Sequence, residues 1–357
     1  MTQDASNRVT RRRFVQAASA AGIVGAAGCA STGSSGSTES GGSSDTSPLT
    51  ADGSSTVYPI TNAASSLWNG NPPADDKEYW GPGQYNIDTD KHLADYFAGL
   101  YGFEATGERS TPPFLVNVAL SHSGTGVKAV QEGRVDIGDS SAPVSDELPD
   151  ADQSTLDKYV DHVVGVDGQP IVVSKEIKDA GVTSLTGDQL RKIYKGEITN
   201  WSEVGGPDKD IQAIGRAEGS GTDTSFRANL YGDPDAPISP DVRKGQNQQV
   251  KTLVSNTDNA IAYIALAFVE EDGSVPPIAL ELDGTTYEYG KNLGAKGYPL
   301  SRDLHCYTWE DTSMKEAAFI NMILTDFGQE NFVASNNYFK LPEDRRKNQR
   351  DKLPDQA

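Results

Sequence analysis

Three short stretches rich in glycine and hydroxyl side chains each run into a segment with helical periodicity, and they restrict the fold more than any other feature of the chain. They are Gly53-Ser54-Ser55-Thr56-Val57-Tyr58-Pro59, then Ser121-His122-Ser123-Gly124-Thr125-Gly126-Val127-Lys128, then Arg216-Ala217-Glu218-Gly219-Ser220-Gly221-Thr222. Each has the composition of a turn that leaves a strand and starts a helix. Free N–H groups at a helix start point outward and carry partial positive charge, so such a turn can hold an oxyanion. Glycine permits close approach of the backbone, and Ser or Thr adds a hydroxyl donor. Pro59 suits the first turn of a helix, where its missing N–H removes no bond. A single turn of this kind is ordinarily a plain helix cap. Three of them, with Arg216 able to pair bidentately with oxyanion oxygens, point to a site for a tetrahedral oxyanion gathered from distant parts of the chain. Glu218 is expected to hold the Arg216 guanidinium while part of its fork stays free for the ligand.

Between these turns short β-rich runs alternate with amphipathic stretches, the pattern of an α/β sandwich. Gln169–Ser174 reads as a buried strand and Ile211–Ile214 as another, followed by a helix that carries Phe226 and Leu230 one turn apart. Thr186-Gly187-Asp188-Gln189 has capping-box spacing ahead of Leu190–Tyr194, and Gly196 ends that helix. Near the end, Ala317, Phe319, Ile320, Ile323 and Leu324 predict a helix over Met314–Phe327, closed by Gly328. Residues 69–113, crowded with Gly, Pro and aromatics, read as a surface elaboration with a helix through Leu93, Phe97 and Leu100.

The first 29 residues read as an export signal. Thr10-Arg11-Arg12-Arg13-Phe14-Val15 leads into an apolar run, Ala17–Ala27, too short to span a bilayer. The paired Arg11 and Arg12 indicate the twin-arginine route. Ala26-Ala27-Gly28-Cys29 resembles a lipoprotein box, with Ala26 in place of the usual larger aliphatic residue, and makes Cys29 the expected lipidation site. Residues 30–50, mostly Ser, Gly and Thr, then form a tether with nothing apolar to bury. Cys306 is the only other cysteine, so a lipidated Cys29 leaves no internal disulfide. The whole chain has 31 Lys and Arg against 51 Asp and Glu, a net charge of −20. Without residues 1–28, which hold Arg8, Arg11, Arg12, Arg13 and Asp4, the balance is 27 against 50, or −23. Such a surface repels nucleic acid, and an anion site on it must work through local dipoles and hydrogen bonds. Abundant acid with few lysines also fits a protein hydrated in concentrated salt, as in a halophile.

Taken together, these motifs resemble the phosphate-binding proteins of high-affinity phosphate ABC importers. The three turns look like that family's three phosphate loops. The likeness continues through Val135–Pro143, Leu190–Trp201, Tyr298-Pro299-Leu300-Ser301-Arg302 and Phe319–Leu341. It covers most of residues 50–341, apart from the 69–113 insert. The resemblance implies an α/β, two-lobed type II periplasmic binding protein-like fold with a hinge and a ligand cleft between the lobes. Residues 51–167 plus 299–357 would form lobe 1 and 168–298 lobe 2, with crossings near Asp167 and Tyr298. It implies that inorganic phosphate is held by Ser55, Thr56, Val57, Ser123, Asp139, Ser141, Arg216, Ser220, Gly221 and Thr222, with no metal or cofactor. The expected molecule is a monomer and not an enzyme. Lipid-anchored on the outer face of the cell membrane, it would hand phosphate to the membrane permease of an ABC transporter.

One position departs from the family. In its best-studied members a carboxylate that accepts the proton of phosphate stands where this chain has Ser141. Asp139 lies two residues earlier, and in an extended segment residues two apart point the same way, so Asp139 is the expected substitute. A site of donors alone would suit sulfate, molybdate or tungstate instead. A phosphatase or serine hydrolase built on Ser123 and His122 is disfavoured because adjacent side chains on an extended segment diverge. There is also no Gly-x-Ser-x-Gly elbow, and the four His lack metal-ligand spacing. An inert surface-layer component would not need three donor turns. Asn200-Trp201-Ser202 is a lone glycosylation sequon.

Overall fold

The chain lays down two mixed sheets in turn and returns to the first. The computed structural model describes residues 46–357 apart from Lys296, so Arg11, Arg12, Cys29 and the tether up to residue 45 lie outside the described residues. The first sheet receives β1 (Leu49–Gly53), β2 (Val116–Val118), β3 (Ile137–Ser140) and β4 (Tyr159–Asp167). The second receives β5 (Ile171–Val173), β6 (Ser184–Thr186), β7 (Gln212–Arg216), β8 (Val242–Lys244), β9 (Ala260–Tyr263), β10 (Pro277–Leu282) and β11 (Thr285–Tyr287). Then β12 (Arg302–Trp309) enters the first sheet again. The first sheet runs β2-β1-β3-β12-β4, and the second runs β11-β10-β5-β9-β7-β8 with β6 against β10. Strand β1 is parallel to both β2 and β3, whereas β12 is antiparallel to β3 and β4. Asp167, at the end of β4, pairs in register with Arg302, at the start of β12. The chain thus leaves the first sheet and comes back to it at one place.

The strands follow from their side chains. Ile171-Val172-Val173 and Ala260–Tyr263 are buried along their whole length, the pattern of strands covered on both faces. The helix Gly187–Tyr194 opens on a capping box in which Thr186 accepts from the Gln189 N–H and Gln189 reaches back to the Thr186 backbone. Such a cap stabilises a helix by about 1 kcal/mol. The helix buries Leu190, Ile193 and Tyr194, and the chain turns away at Gly196, whose φ of 72° favours glycine. The helix begun by Ser313 and Glu316 runs only over Met314–Leu324. It stops short of Phe327 because Thr325 is extended and turns its hydroxyl to the Gly328 N–H at 3.2 Å, starting a new turn.

Residues 69–113 are only partly a surface elaboration: residues 104–111 are exposed, but the aromatic part of the segment enters the core. Trp80, Leu93, Phe97, Tyr101 and Phe103 are buried in the main core. The Trp80 ring meets Phe327 edge-on with centroids 4.9 Å apart and lies 5.5 Å from Phe97, while Tyr85 meets Phe327 at 5.2 Å. Buried Asn71 folds the segment back on itself, donating to Glu108 O at 3.0 Å and accepting from the Ala94 N–H at 2.9 Å. The aromatics that made this stretch look exposed instead cover one flank of the helix Met314–Leu324 and the turn after it.

Candidate anion site

Each of the three turns delivers a helix start to the same place. Strand β1 passes through Gly53, where a Cβ would stand 2.2 Å from Asp139 O, into Ser54–Val57 and the helix Tyr58–Gly70. His122 begins the helix Ser123–Gln131, and β7 leads through Arg216 to Ser220 and the helix Gly221–Tyr231. The N-cap residues Val57, His122 and Ser220 make no side-chain cap bond, whereas Asp152, Thr186 and Ser313 cap other helices in that way. The first N–H groups of these three helices are therefore not claimed by their own N-cap side chains.

The first two turns belong to the first sheet and the third to the second, and they meet. Thr56 Oγ1 lies 3.0 Å from Thr222 Oγ1, and the Gly124 N–H donates to Gly219 O at 3.2 Å. Gly221 sits so close that a Cβ there would lie 2.3 Å from Ser123 Oγ and 2.7 Å from Ser141 Oγ. Ser54 Oγ donates to Ser141 Oγ at 3.0 Å, and the Ser141 N–H donates to Ser123 Oγ at 3.2 Å. Ser123 thus bonds Ser141, while the His122 ring packs beside Gly245. Ser55, Thr56, Ser123, Ser141, Arg216, Gly221 and Thr222 come together as side chains or backbone, and the buried Val57 and Ser220 join them as the N-cap residues.

Arg216 is 1% exposed and lies at the centre of this meeting. Its Nη1 donates to Asn247 Oδ1 at 2.8 Å, its Nη2 to Ser55 Oγ at 3.1 Å and Gly245 O at 2.7 Å, and its Nε to Lys244 O at 3.2 Å. Glu218 does not hold it: that side chain lies on an exposed residue two positions on, and Asn247 with two backbone carbonyls does the work instead. The Arg216 N–H donates to the Tyr263 hydroxyl at 3.0 Å, and that hydroxyl donates to buried Asp223. Asp223 is paired with Arg227 at 2.9 Å and Arg243 at 3.3 Å, and Tyr263 stacks on Phe226 with centroids 3.8 Å apart. Burial pulls the Arg216 guanidinium down to about 9, which leaves it charged at neutral pH.

Asp139 borders the first turn through its backbone, where its carbonyl accepts from the Ser54 N–H at 2.9 Å, but its carboxylate points away from the joined hydroxyls. Strand β3 ends at Ser140, whose hydroxyl donates to Ala142 O at 2.7 Å, so the alternation that would align Asp139 with Ser141 stops there. The Asp139 carboxylate accepts from Thr61 Oγ1 at 2.8 Å and Cys306 Sγ at 3.3 Å. Burial, with the nearby Asp52 charge adding to it, raises its pKa to about 7 against those two bonds.

Sequence reasoning gave no role to two buried residues that hold the turns together. Asn247 donates through Nδ2 to Ser55 Oγ and Thr56 Oγ1, both at 3.0 Å, and its Oδ1 accepts from Arg216 and from the Ala265 N–H at 3.2 Å. Arg302 pairs with Asp167 at 2.7 Å and also reaches Thr56 Oγ1 and Thr222 Oγ1. Arg302 lies in a recognised motif, but nothing local announces Asn247. Among the described residues no cluster of three or more His, Cys, Asp or Glu is placed to hold a metal ion. The assembled groups are mostly hydrogen-bond donors beside two buried cations, Arg216 and Arg302, with the Glu147 carboxyl against Gly124, an arrangement suited to binding an oxyanion.

A profile for the PBP superfamily domain matches residues 93–327, which contain the second and third turns. The phosphate-binding protein PstS of Bacillus subtilis (strain 168) is 31% identical over 230 residues, covering 64% of this chain and 72% of that protein. The chain belongs to the PBP superfamily as a PstS-like member. Its α/β, two-lobed architecture is shared with solved structures. A candidate phosphate ABC transporter substrate-binding protein from Clostridium perfringens, solved with bound phosphate, superposes with a TM-score of 0.61 at 23% identity, over 83% of this chain and 100% of that one. An ABC-type phosphate transport receptor from Vibrio cholerae superposes with a TM-score of 0.54 at 24% identity, over 82% and 100%. At these identities the likeness is one of fold. No helix among the described residues is long and apolar enough to cross a membrane.

Proposed function

We propose that this chain captures inorganic phosphate outside the cell and delivers it to the permease of an ABC importer, held at the membrane by a lipid on Cys29. The observation that carries the reading is the meeting of three helix starts without side-chain caps around the buried Arg216. Donors from both sheets then close on one ligand, and an anion that bridges them stabilises the closed arrangement over an open one. The names of the relatives support phosphate as that anion. Residues 51–167 with 299–357 would move as one lobe against 168–298, bending where Asp167 and Arg302 pair. A calorimetric titration of the chain from residue 30 onward with phosphate, sulfate and arsenate tests the reading. Phosphate is expected to bind most tightly, and absence of phosphate binding would refute it.

A second reading follows from the turned-away Asp139. With Ser141 at the meeting place and the Asp139 carboxylate turned to Thr61, the carboxyl beside the turns is that of Glu147. It lies next to Gly124, and burial raises its pKa to about 8. While it keeps its proton the site also suits a fully ionised oxyanion such as sulfate. Sulfate binding as tightly as phosphate in the same titration would favour it. The membrane anchor is tested separately. Changing Arg11 and Arg12 to Lys is expected to block export, and Cys29→Ser to release the protein from membranes without harming its fold. Cell fractionation reads both outcomes.

A further inference from the structure

We propose that Arg302, a residue outside all three turns, is a positioning residue of the anion site that fixes which way the Thr56 and Thr222 hydroxyls point. This rests on the anion-binding reading above. An arginine has five N–H donors and no acceptor. Arg302 Nε and one hydrogen of Nη2 go to Asp167 Oδ2, at 3.0 and 2.7 Å. Its Nη1 donates to Gly221 O at 3.0 Å and Ser225 Oγ at 2.7 Å. The last Nη2 hydrogen is shared by Thr56 Oγ1 at 3.2 Å and Thr222 Oγ1 at 3.1 Å. Asp167 is itself held, because its Oδ1 accepts from the Leu266 N–H at 2.9 Å.

The direction of the neighbouring bonds then follows from counting lone pairs. Asn247 Oδ1 accepts from two groups that can only donate, Arg216 Nη1 and the Ala265 N–H, so its Nδ2 is the group facing Ser55 and Thr56. A hydroxyl oxygen has two acceptor positions and one hydrogen. Thr56 Oγ1 accepts from Asn247 and from Arg302, so its hydrogen goes to Thr222 Oγ1. Thr222 Oγ1 is then filled by Thr56 and Arg302, and its own hydrogen is left for an acceptor outside this chain of bonds. Ser55 reaches the same condition through Arg216 and Asn247. At Thr222 and Ser55 the site therefore offers donors only. It matches a bare anionic oxygen there and cannot accept the hydrogen of a P–OH. Ser123 and Ser141 differ, since either of their hydroxyls can donate across the 3.4 Å between them. A protonated phosphate is thereby turned with its hydroxyl away from Thr222 and Ser55, toward these serines and the Glu147 carboxyl beside Gly124.

A double-mutant cycle on the chain from residue 30 onward tests this. Arg302→Gln is made together with Asp167→Asn, so that no charge is left unpaired, and the pair is measured with and without Thr222→Val. The paired change should weaken phosphate binding roughly tenfold when Thr222 is present and less than about twofold when it is Val, because Arg302 acts through that hydroxyl. Equal losses in both backgrounds would overturn the proposal and leave Arg302 a support of the fold. Should the paired variant not melt cooperatively, Arg302→Lys takes its place, since one ammonium cannot hold Asp167 and both threonines; coupling to Thr222 again supports the proposal and additivity again overturns it. A native chain that binds no phosphate would remove the anion-binding reading together with this inference, whereas additive losses with native binding intact remove this inference alone.

Discussion

Asp139 carries a carboxyl that the fold prefers to keep neutral. An acid whose pKa is raised in the folded state binds its proton more tightly there than in the unfolded chain. Its effect on stability is nil below the unfolded value and becomes increasingly unfavourable as the pH climbs to the folded value of about 7. Asp139→Asn removes that term. The melting temperature of the variant relative to the native chain is expected to rise between pH 5 and pH 8, and a difference that is flat or falling over that range would contradict it. Arg216→Ala acts on binding instead. It removes a buried cation and strips Asn247 Oδ1 and Ser55 Oγ of a donor, so the affinity for phosphate and sulfate alike should fall by about 2 to 4 kcal/mol in a titration. The hydroxyls and glycines of the three turns were legible because each turn is a local pattern. Their partners were not: Asn247 lies 191 residues from Thr56, and Arg302 lies 246 residues from it. Only tertiary pairing brings those donors in. Glu218 misled for the opposite reason, since nearness in sequence suggested a partner for Arg216 that the fold turns outward.

At the scale of elements, strand and helix identities followed periodicity wherever one face is buried, and failed where aromatics serve an unusual neighbour. The helix Gly187–Tyr194 was readable to its capping box, because that box is written in four consecutive residues. The role of residues 69–113 was not, because Trp80 and Tyr85 pack on Phe327, from a distant part of the chain. Trp80→Ala would leave a cavity in this aromatic cluster and is expected to cost about 3 to 5 kcal/mol of unfolding free energy. Denaturant titration measures that loss. Phosphate affinity measured well below the melting point should be unchanged, since none of the bonds among the three turns passes through Trp80. A variant that keeps its stability would mean that the insert is only loosely attached.

For the molecule as a whole, a net charge of −20 makes the compact state repel itself, and salt screens that repulsion. The melting temperature should therefore rise from 0.1 M to molar KCl, roughly the range over which the screening length shrinks from about 10 Å to about 3 Å. A flat or falling curve would remove the halophile reading. The placement of β1 bears on how such a domain withstands force. It is the first strand of the described chain, it is bonded along both edges to the parallel strands β2 and β3, and its far end becomes the first anion turn. Just ahead of it, Ser47 is held by the Lys315 ammonium at 2.8 Å through its carbonyl. A pull applied at the N-terminal end of β1 along the strand axis loads the hydrogen bonds of both ladders together, in shear, so they must yield at once rather than unzip one by one. If the chain is anchored through Cys29 as proposed, the load would fall on these two ladders before it reaches the anion turn.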